Sequence, residues 1–169
     1  MSKIAVIITD MFEDVEYTDP AEGFRKAGHE LVHVGIEKGK TVKGKKEATP
    51  VTIDRAVSEV TVDDFDALLI PGGYSPDKLR VDERAVDFVR NFAQSNKPVF
   101  SICHAPQLLI TADVIRGRKI TGYKSIIQDI KNAGAEFVDQ AVVEDGNLIS
   151  SRNPNDIPPF TRAALARLQ

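Results

Sequence analysis

The segment that decides the fold spans residues 98–106 and reads PVFSICHAP. A short apolar run ends at Cys103, and Pro106 suits the first turn of a following helix. A strand-to-helix turn of this kind holds its central residue at the carboxyl end of a sheet, where ligands bind in open α/β folds. The crowded turn needs small residues two positions before and after its centre, and Ser101 and Ala105 meet this requirement. The pattern therefore predicts an exposed Cys103 nucleophile at the edge of a parallel sheet.

Other apolar runs flank this segment and alternate with stretches of helical periodicity. Residues 3–9 (KIAVIIT) and 67–70 (ALLI) are typical of strands that are buried on both faces. Asp19 followed by Pro20 indicates a helix N-terminus, and Gly28 indicates the end of that helix. Strands that alternate with helices predict a doubly wound α/β architecture, in which helices cover both faces of a mostly parallel sheet.

The composition excludes several classes of protein. The 169 residues fit one domain, and 42% apolar residues is ordinary for a globular chain. A single cysteine forms neither an internal disulfide nor a redox pair, and three histidines leave few ligand sets for a metal. No apolar run approaches the roughly 18–20 residues that span a bilayer. The net charge of −3 argues against nucleic acid as the main partner. We expect one cytoplasmic domain over residues 1–169, without a membrane segment, metal or cofactor.

One strong cluster of positive charge covers residues 37–46, which read EKGKTVKGKK. Its Gly-Lys repeats predict the tip of a hairpin in contact with solvent. A patch that binds nucleic acid is the less favoured interpretation, because the run is short and no aromatic side chains interleave with the lysines. We therefore assign this segment to a solvated surface.

The nucleophile needs a second catalytic element, because ionisation of the thiol alone gives only a small increase in rate. A helix N-terminus favours the Cys103 thiolate through its dipole and free N–H groups. Full ionisation of a thiol of ordinary pKa raises the thiolate fraction near neutral pH by only about tenfold, whereas oxyanion stabilisation contributes about 10²–10³. Gly72 and Gly73 end the neighbouring strand at the same edge, where they let backbone N–H groups approach a bound oxygen. Taken alone, these glycines equally suit an ordinary turn.

The histidine positions restrict the base that serves Cys103. No histidine follows His104, which excludes triads whose histidine comes well after the nucleophile. The two earlier histidines are interpreted as structural. Three candidates remain open. His104 adjoins the nucleophile. Glu13 follows the first strand, where a carboxyl group beside a thiolate would be held protonated and could donate to sulfur, or where it is simply a solvated acid. Asp77 either orients an imidazole or caps a helix.

Several motifs together resemble the PfpI group of the ThiJ/PfpI superfamily. They match in order and spacing through essentially the whole chain, at residues 12–16 (FEDVE), 65–73 (FDALLIPGG), 97–106 (KPVFSICHAP), 115–119 (IRGRK) and 150–152 (SSR). The resemblance implies a flavodoxin-like three-layer sandwich with its cysteine on a nucleophile elbow.

The resemblance also implies roles for individual residues. It makes Cys103 the nucleophile with His104 as its neighbour, and it makes Glu13 the carboxyl group that contacts the sulfur. The N–H groups of Gly73 and His104 match oxyanion donors, and Tyr123 matches a further position that lines the site.

By the same resemblance, Asp77 stands where PfpI-type proteins carry an acid that reaches a histidine of an adjacent subunit. This implies a homodimer, or a hexamer built from dimers, with Asp77 near the interface. Members of the superfamily are described as cysteine peptidases, glutathione-independent glyoxalases, protein deglycases and stress protectors or chaperones. Together with the elbow, this favours an enzyme that acts on small dicarbonyls or glycated proteins through a hemithioacetal on Cys103. The alternatives are a peptidase active as an oligomer and a redox-sensing or chaperone-like stress protein.

Overall fold

The computed structural model describes residues 1–169 and is built around a seven-stranded sheet. The strands are β1 (Lys3–Ile7), β2 (Glu30–Gly35), β3 (Thr41–Lys43), β4 (Pro50–Thr52), β5 (Arg55–Ala56), β6 (Ala67–Ile70), β7 (Val99–Ile102), β8 (Lys119–Ile120), β9 (Glu136–Phe137), β10 (Val143–Asp145) and β11 (Leu148–Ser151). The helices are α1 (Asp14–Lys26), α2 (Ser75–Leu79), α3 (Glu83–Ala93), α4 (Pro106–Thr111), α5 (Ile127–Asn132) and α6 (Ile157–Arg167). None of these helices is both long enough and apolar enough to cross a bilayer.

The central sheet has the strand order β10-β11-β7-β6-β1-β2-β5. Every pair in it is parallel except the hairpin of β10 and β11. The carboxyl ends of β1, β6 and β7 therefore meet at one edge, and Ile70 pairs with Ser101 there. This confirms the predicted mostly parallel sheet and brings the segments after these strands together.

Helices cover both faces of the sheet and enclose two separate apolar cores. One core packs α1 and α6 against the sheet, and the other packs α2, α3, α4 and α5 against the opposite face. Along β1, Ala5 and Ile7 point into the second core while Ile4 and Val6 point into the first, because successive side chains of a strand alternate. Burial on both faces explains the continuous apolar run, and the three layers confirm the predicted sandwich.

The predicted start of the first helix is wrong. Helix α1 begins at Asp14 instead of Asp19, and Pro20 lies inside it. Acidic residues in the first turn suit the positive end of the helix dipole, so Asp14 and Glu16 are favourably placed. The predicted end is confirmed, since Gly28 has a φ of +88° just beyond the last turn. Because the helix starts early, residues 14–17 form a helical turn at the sheet edge.

The basic segment forms the predicted hairpin, but its tip is not simply solvated. β3 pairs with β4 in antiparallel register, and the turn between them folds back on the start of α1. The Asp14 carboxylate accepts the backbone N–H groups of Lys46 at 2.9 Å and Thr49 at 3.1 Å. At Gly44 a side chain would collide with that carboxylate, so the turn requires a residue without a Cβ. The lysines after Gly44 are therefore held beside the sheet edge.

Candidate active site

Cys103 lies at the end of β7 in a left-handed conformation, with a φ of +63°. Its N–H donates to the carbonyl of Ser151 at 3.0 Å, and its carbonyl accepts the N–H of Tyr123 at 2.8 Å. Helix α4 begins at Pro106, directly after the turn. The predicted strand-to-helix elbow is therefore present. The side chain is less open than expected, because Cys103 is only 6% exposed.

The carboxyl group that meets this sulfur belongs to Glu16, which the sequence analysis missed. Glu16 is completely buried, its Oε1 accepts the N–H of Gly72 at 2.8 Å, and its carboxyl group lies beside the Cys103 side chain at Gly72. Burial, reinforced by the charge of Glu13, raises the pKa of Glu16 to about 8. At neutral pH Glu16 is therefore protonated and can donate a hydrogen bond to sulfur.

Glu13 does not take the place that we predicted for it. Its side chain is nearly buried, but the two carboxylate oxygens pair with Lys45 Nζ at 3.2 Å and Lys46 Nζ at 3.3 Å. The contact between Glu13 and the sulfur is thus a wrong prediction. The physical reason is the early start of α1, whose first turn directs Glu16 inward, whereas Glu13 precedes the helix and faces the hairpin tip. If the helix start had been predicted at Asp14, the first turn of the helix would have identified Glu16 as the inward-facing carboxyl group.

The ionisation of Cys103 also differs from the prediction. Burial, followed by the charge of Glu16 and its hydrogen bond, raises the pKa of the thiol; the Glu16 contribution holds while that carboxyl is ionised. The His104 N–H and the charge of Lys45 act in the opposite direction. Helix α4 has only six residues, so its dipole does not outweigh burial. The thiol and the carboxyl form a coupled pair, and the first proton to leave it places one negative charge on two adjacent groups.

His104 lies on the other side of the sulfur. Its Nδ1 is 3.4 Å from Cys103 Sγ, and its Nε2 is 3.2 Å from Ser125 Oγ. The imidazole stacks on the Tyr123 ring with centroids 4.8 Å apart, which gives that predicted lining residue a definite position. Burial, with the charge of Lys45, lowers the pKa of His104, while Asp77 opposes this effect. A neutral imidazole within reach of sulfur can accept a proton.

The two glycines after β6 have different tasks. The Gly72 N–H is taken by Glu16, so it is not free to bind an oxyanion, and the prediction that it could do so is corrected. Gly73 has a φ of +76°, and a side chain there would collide with the backbone of residues 11–13. The N–H of Gly73 has no hydrogen-bond acceptor in the chain, so it is free to bind a substrate oxygen. The His104 N–H faces the sulfur.

Asp77 lies in α2 at the same edge and pairs with Arg80 at 2.9 Å. It makes no hydrogen bond with His104 of its own chain, although its charge raises the pKa of that imidazole. Its predicted contact with a neighbouring subunit stays a prediction.

A cavity of about 490 Å³ opens beside Tyr123. Polar side chains line much of it, among them Lys124, Asp139, Arg152 and Asn153. Composition and motif spacing gave no sign of this cavity, because its walls come from three separate parts of the chain. No group of three or more potential ligands from His, Cys, Asp and Glu lies close enough together to hold a metal ion.

The sequence matches the DJ-1/PfpI family over residues 2–167. It is 62% identical over 167 residues to protein/nucleic acid deglycase 2 of Escherichia coli (strain K12), covering 98% of this chain and 97% of that protein. It is 56% identical over 168 residues to general stress protein 18 of Bacillus subtilis (strain 168), covering 99% and 98%. A solved protein from Anabaena variabilis ATCC 29413 joins a DJ-1/ThiJ/PfpI-like domain to a ferritin-like domain. It has a TM-score of 0.97 and 41% identity over 99% of this chain, which spans 48% of that protein.

Proposed function

The chain belongs to the DJ-1/PfpI family, and from this premise we propose that it is a deglycase-type enzyme. In this proposal Cys103 attacks small dicarbonyls such as methylglyoxal, or their early adducts on proteins. The observation that carries the proposal is the pair of proton carriers around one sulfur, with Glu16 on one side and His104 Nδ1 at 3.4 Å on the other. The 62% identity to a protein that is named as a deglycase supports the same reaction class.

The first step is addition of sulfur to the aldehyde carbon, while His104 Nδ1, 3.4 Å from Sγ, accepts the proton of the thiol. The new carbon–sulfur bond converts the carbonyl oxygen into an alkoxide, which takes up a proton to give a hemithioacetal. The free N–H of Gly73 stabilises the developing negative charge. When the carbon already carries an amine from a protein, sulfur displaces that amine. The departing nitrogen then takes a proton from Glu16, whose raised pKa keeps one available.

The second stage moves hydrogen between the two carbons of the dicarbonyl. A base removes the proton from the hemithioacetal carbon, and the neighbouring carbon then receives a proton, which leaves a thioester. His104 is suited to this transfer, because its lowered pKa keeps the ring neutral near physiological pH. Water then cleaves the thioester to lactate and restores the thiol. The aldehyde carbon is oxidised while the ketone carbon is reduced, so electrons balance within the substrate.

The test is lactate formation from methylglyoxal without glutathione, in wild-type protein and in Cys103→Ala. We expect turnover in the wild type and none above background in the variant. Activity that survives in Cys103→Ala would overturn the proposal. Iodoacetamide gives an independent check on the unmutated chain, because Cys103 is its single cysteine.

Deglycation and simple dicarbonyl removal are separated by a second assay. Early adducts release free methylglyoxal spontaneously. The enzyme is therefore added after the free dicarbonyl has been removed, and the spontaneous rate is measured in parallel without enzyme. Amine release faster than spontaneous dissociation supports direct attack on the adduct. Release at the spontaneous rate, with lactate still produced, assigns the protein to glyoxalase chemistry instead.

The remaining alternatives predict other outcomes in the same samples. A peptidase would cleave a fluorogenic peptide, and this activity would persist through size-exclusion purification and be lost in Cys103→Ser. A redox sensor would show no dicarbonyl turnover while peroxide oxidises Cys103 to sulfenic and sulfinic acid, detected by mass spectrometry.

A further inference from the structure

The tip of the β3–β4 hairpin is fixed next to the candidate active site. Besides the contacts of Asp14 with the tip, the N–H of Lys45 donates to the carbonyl of Phe12 at 2.9 Å. Burial opposes ionisation of Asp14, but hydrogen bonds from Thr49 and Lys46 outweigh it and lower its pKa to about 2. Asp14 is therefore a carboxylate at all ordinary pH values, and the tip remains attached to the helix that carries Glu16.

Two consecutive lysines on this tip have different surroundings. Lys45 Nζ is 3.2 Å from a Glu13 oxygen and 5.1 Å from the centre of the Tyr74 ring, and its side chain is 23% exposed. Lys46 Nζ pairs with the other Glu13 oxygen, but its side chain is 64% exposed. An ammonium group held between a carboxylate and an aromatic face is restricted in position. Lys45 is thus a fixed cation over the site, whereas Lys46 is a solvated one.

We propose that Lys45 is a positioning residue, which stabilises the single negative charge that the Cys103–Glu16 pair acquires when it loses its first proton. It acts through the sulfur and the carboxyl group and need not touch substrate. The other lysines of the basic segment are not assigned this role.

The charges around the pair support this assignment. Lys45 is connected to the pair through Glu13. The Glu13 N–H donates to the Gly72 carbonyl at 3.2 Å, and the Gly72 N–H donates to Glu16. The charge of Lys45 lowers the pKa of Cys103, of Glu16 and of His104. The charge of Glu13 acts in the opposite direction on Glu16.

The remaining charged and aromatic groups nearby do not change the assignment to Lys45. Asp77 acts on His104, and Tyr74 faces Lys45 itself. Burial disfavours the charged form of Lys45, but its contact with Glu13 more than compensates, and its pKa is raised. Lys45 is therefore charged wherever the pair titrates.

The inference concerns the reactivity of the thiol and does not depend on the substrate. Because the chain has one cysteine, iodoacetamide reports on Cys103 alone. The rate of alkylation is measured between pH 5 and 10 for the wild type, Lys45→Met, Lys45→Arg and the control Lys46→Met. We expect Lys45→Met to raise the midpoint by roughly 0.5 to 1 pH unit, the scale for loss of one partly exposed charge near the pair. Lys45→Arg and Lys46→Met should stay near the wild-type midpoint.

An unchanged midpoint in Lys45→Met, or an equal rise in Lys46→Met, overturns the proposal. Circular dichroism verifies that each variant is folded. If Lys45→Met does not fold, Lys45→Gln carries the test, because it removes the same charge and keeps a polar group for Glu13. A higher midpoint in that variant supports the proposal, and an unchanged or lower one overturns it. If the wild-type protein shows the expected alkylation profile but no dicarbonyl turnover, the result counts against the proposed function and not against the role of Lys45.

Discussion

The side chains of Glu16 and Cys103 approach each other across Gly72, where any side chain on that glycine would collide with the carboxyl group and crowd the Cβ of the cysteine. The Gly72 N–H holds one carboxyl oxygen at 2.8 Å, while the other oxygen has no hydrogen-bond partner. A buried carboxyl with one such oxygen is well placed to share its proton with sulfur. The first prediction follows from this pairing.

Glu16→Gln should reduce methylglyoxal turnover by roughly 10²-fold or more, the scale of a lost general acid–base group. Glutamine keeps the shape and the acceptor for Gly72, but it cannot carry the shared proton. Glu13→Gln is the matched control, because that carboxylate faces Lys45 and Lys46; we expect it to lose far less activity. Steady-state rates of both variants decide the matter. A larger loss in Glu13→Gln would restore the original assignment of the sulfur contact to Glu13.

The difference between these two glutamates shows what the sequence could predict. The elbow at Cys103 is a local pattern of nine consecutive residues, and it was predicted correctly. Glu16 is held at the elbow by Gly72, 56 positions away, and this contact depends on where α1 begins. Pro20 after Asp19 was a misleading start signal, since the proline is accommodated inside the helix. Lys45 was likewise hidden, because only the fold of the hairpin tip onto Asp14 separates it from its neighbouring lysines.

The buried Glu16 should make stability fall as the pH rises. Its pKa rises from the ordinary 4.5 of a glutamate to about 8 in the folded protein, so between these values the folded state binds more protons than the unfolded state. The contribution of Glu16 to the free energy of unfolding is fully present below pH 4.5 and is lost as the pH rises to 8. We expect Glu16→Gln to gain about 3 to 5 kcal/mol relative to wild type between pH 4.5 and 9.

Denaturant unfolding at several pH values measures this difference. The control is Glu59→Gln, which changes an exposed glutamate and should follow the wild-type curve. If the wild type and Glu16→Gln lose stability in parallel, Glu16 is ionised in the folded protein, and the proton-sharing interpretation is wrong.

Gly73→Ala should damage the site more than the same change at Gly117. Both glycines have a φ of +76°, so each substitution carries a left-handed strain of about 1–2 kcal/mol. A methyl group at Gly117 meets nothing within 4 Å, whereas at Gly73 it collides with the backbone of residues 11–13. We expect Gly117→Ala to be destabilised only by the backbone strain and to keep its activity. Gly73→Ala should lose additional stability and most of its turnover; equal effects at both positions would contradict the packing at Gly73.

Asp77→Asn should lower the pKa of His104, because the Asp77 carboxylate favours the charged imidazole. The effect should be small, since the Asp77 side chain is 54% exposed and pairs with Arg80. Nuclear magnetic resonance can follow all three histidines in one titration, with His29 and His33 as internal controls. Repeating it across a dilution series tests the predicted oligomer. An effect that persists in the monomer acts within the chain, whereas one that disappears on dilution requires Asp77 of a neighbouring subunit. No change in His104 at any concentration would remove Asp77 from the site.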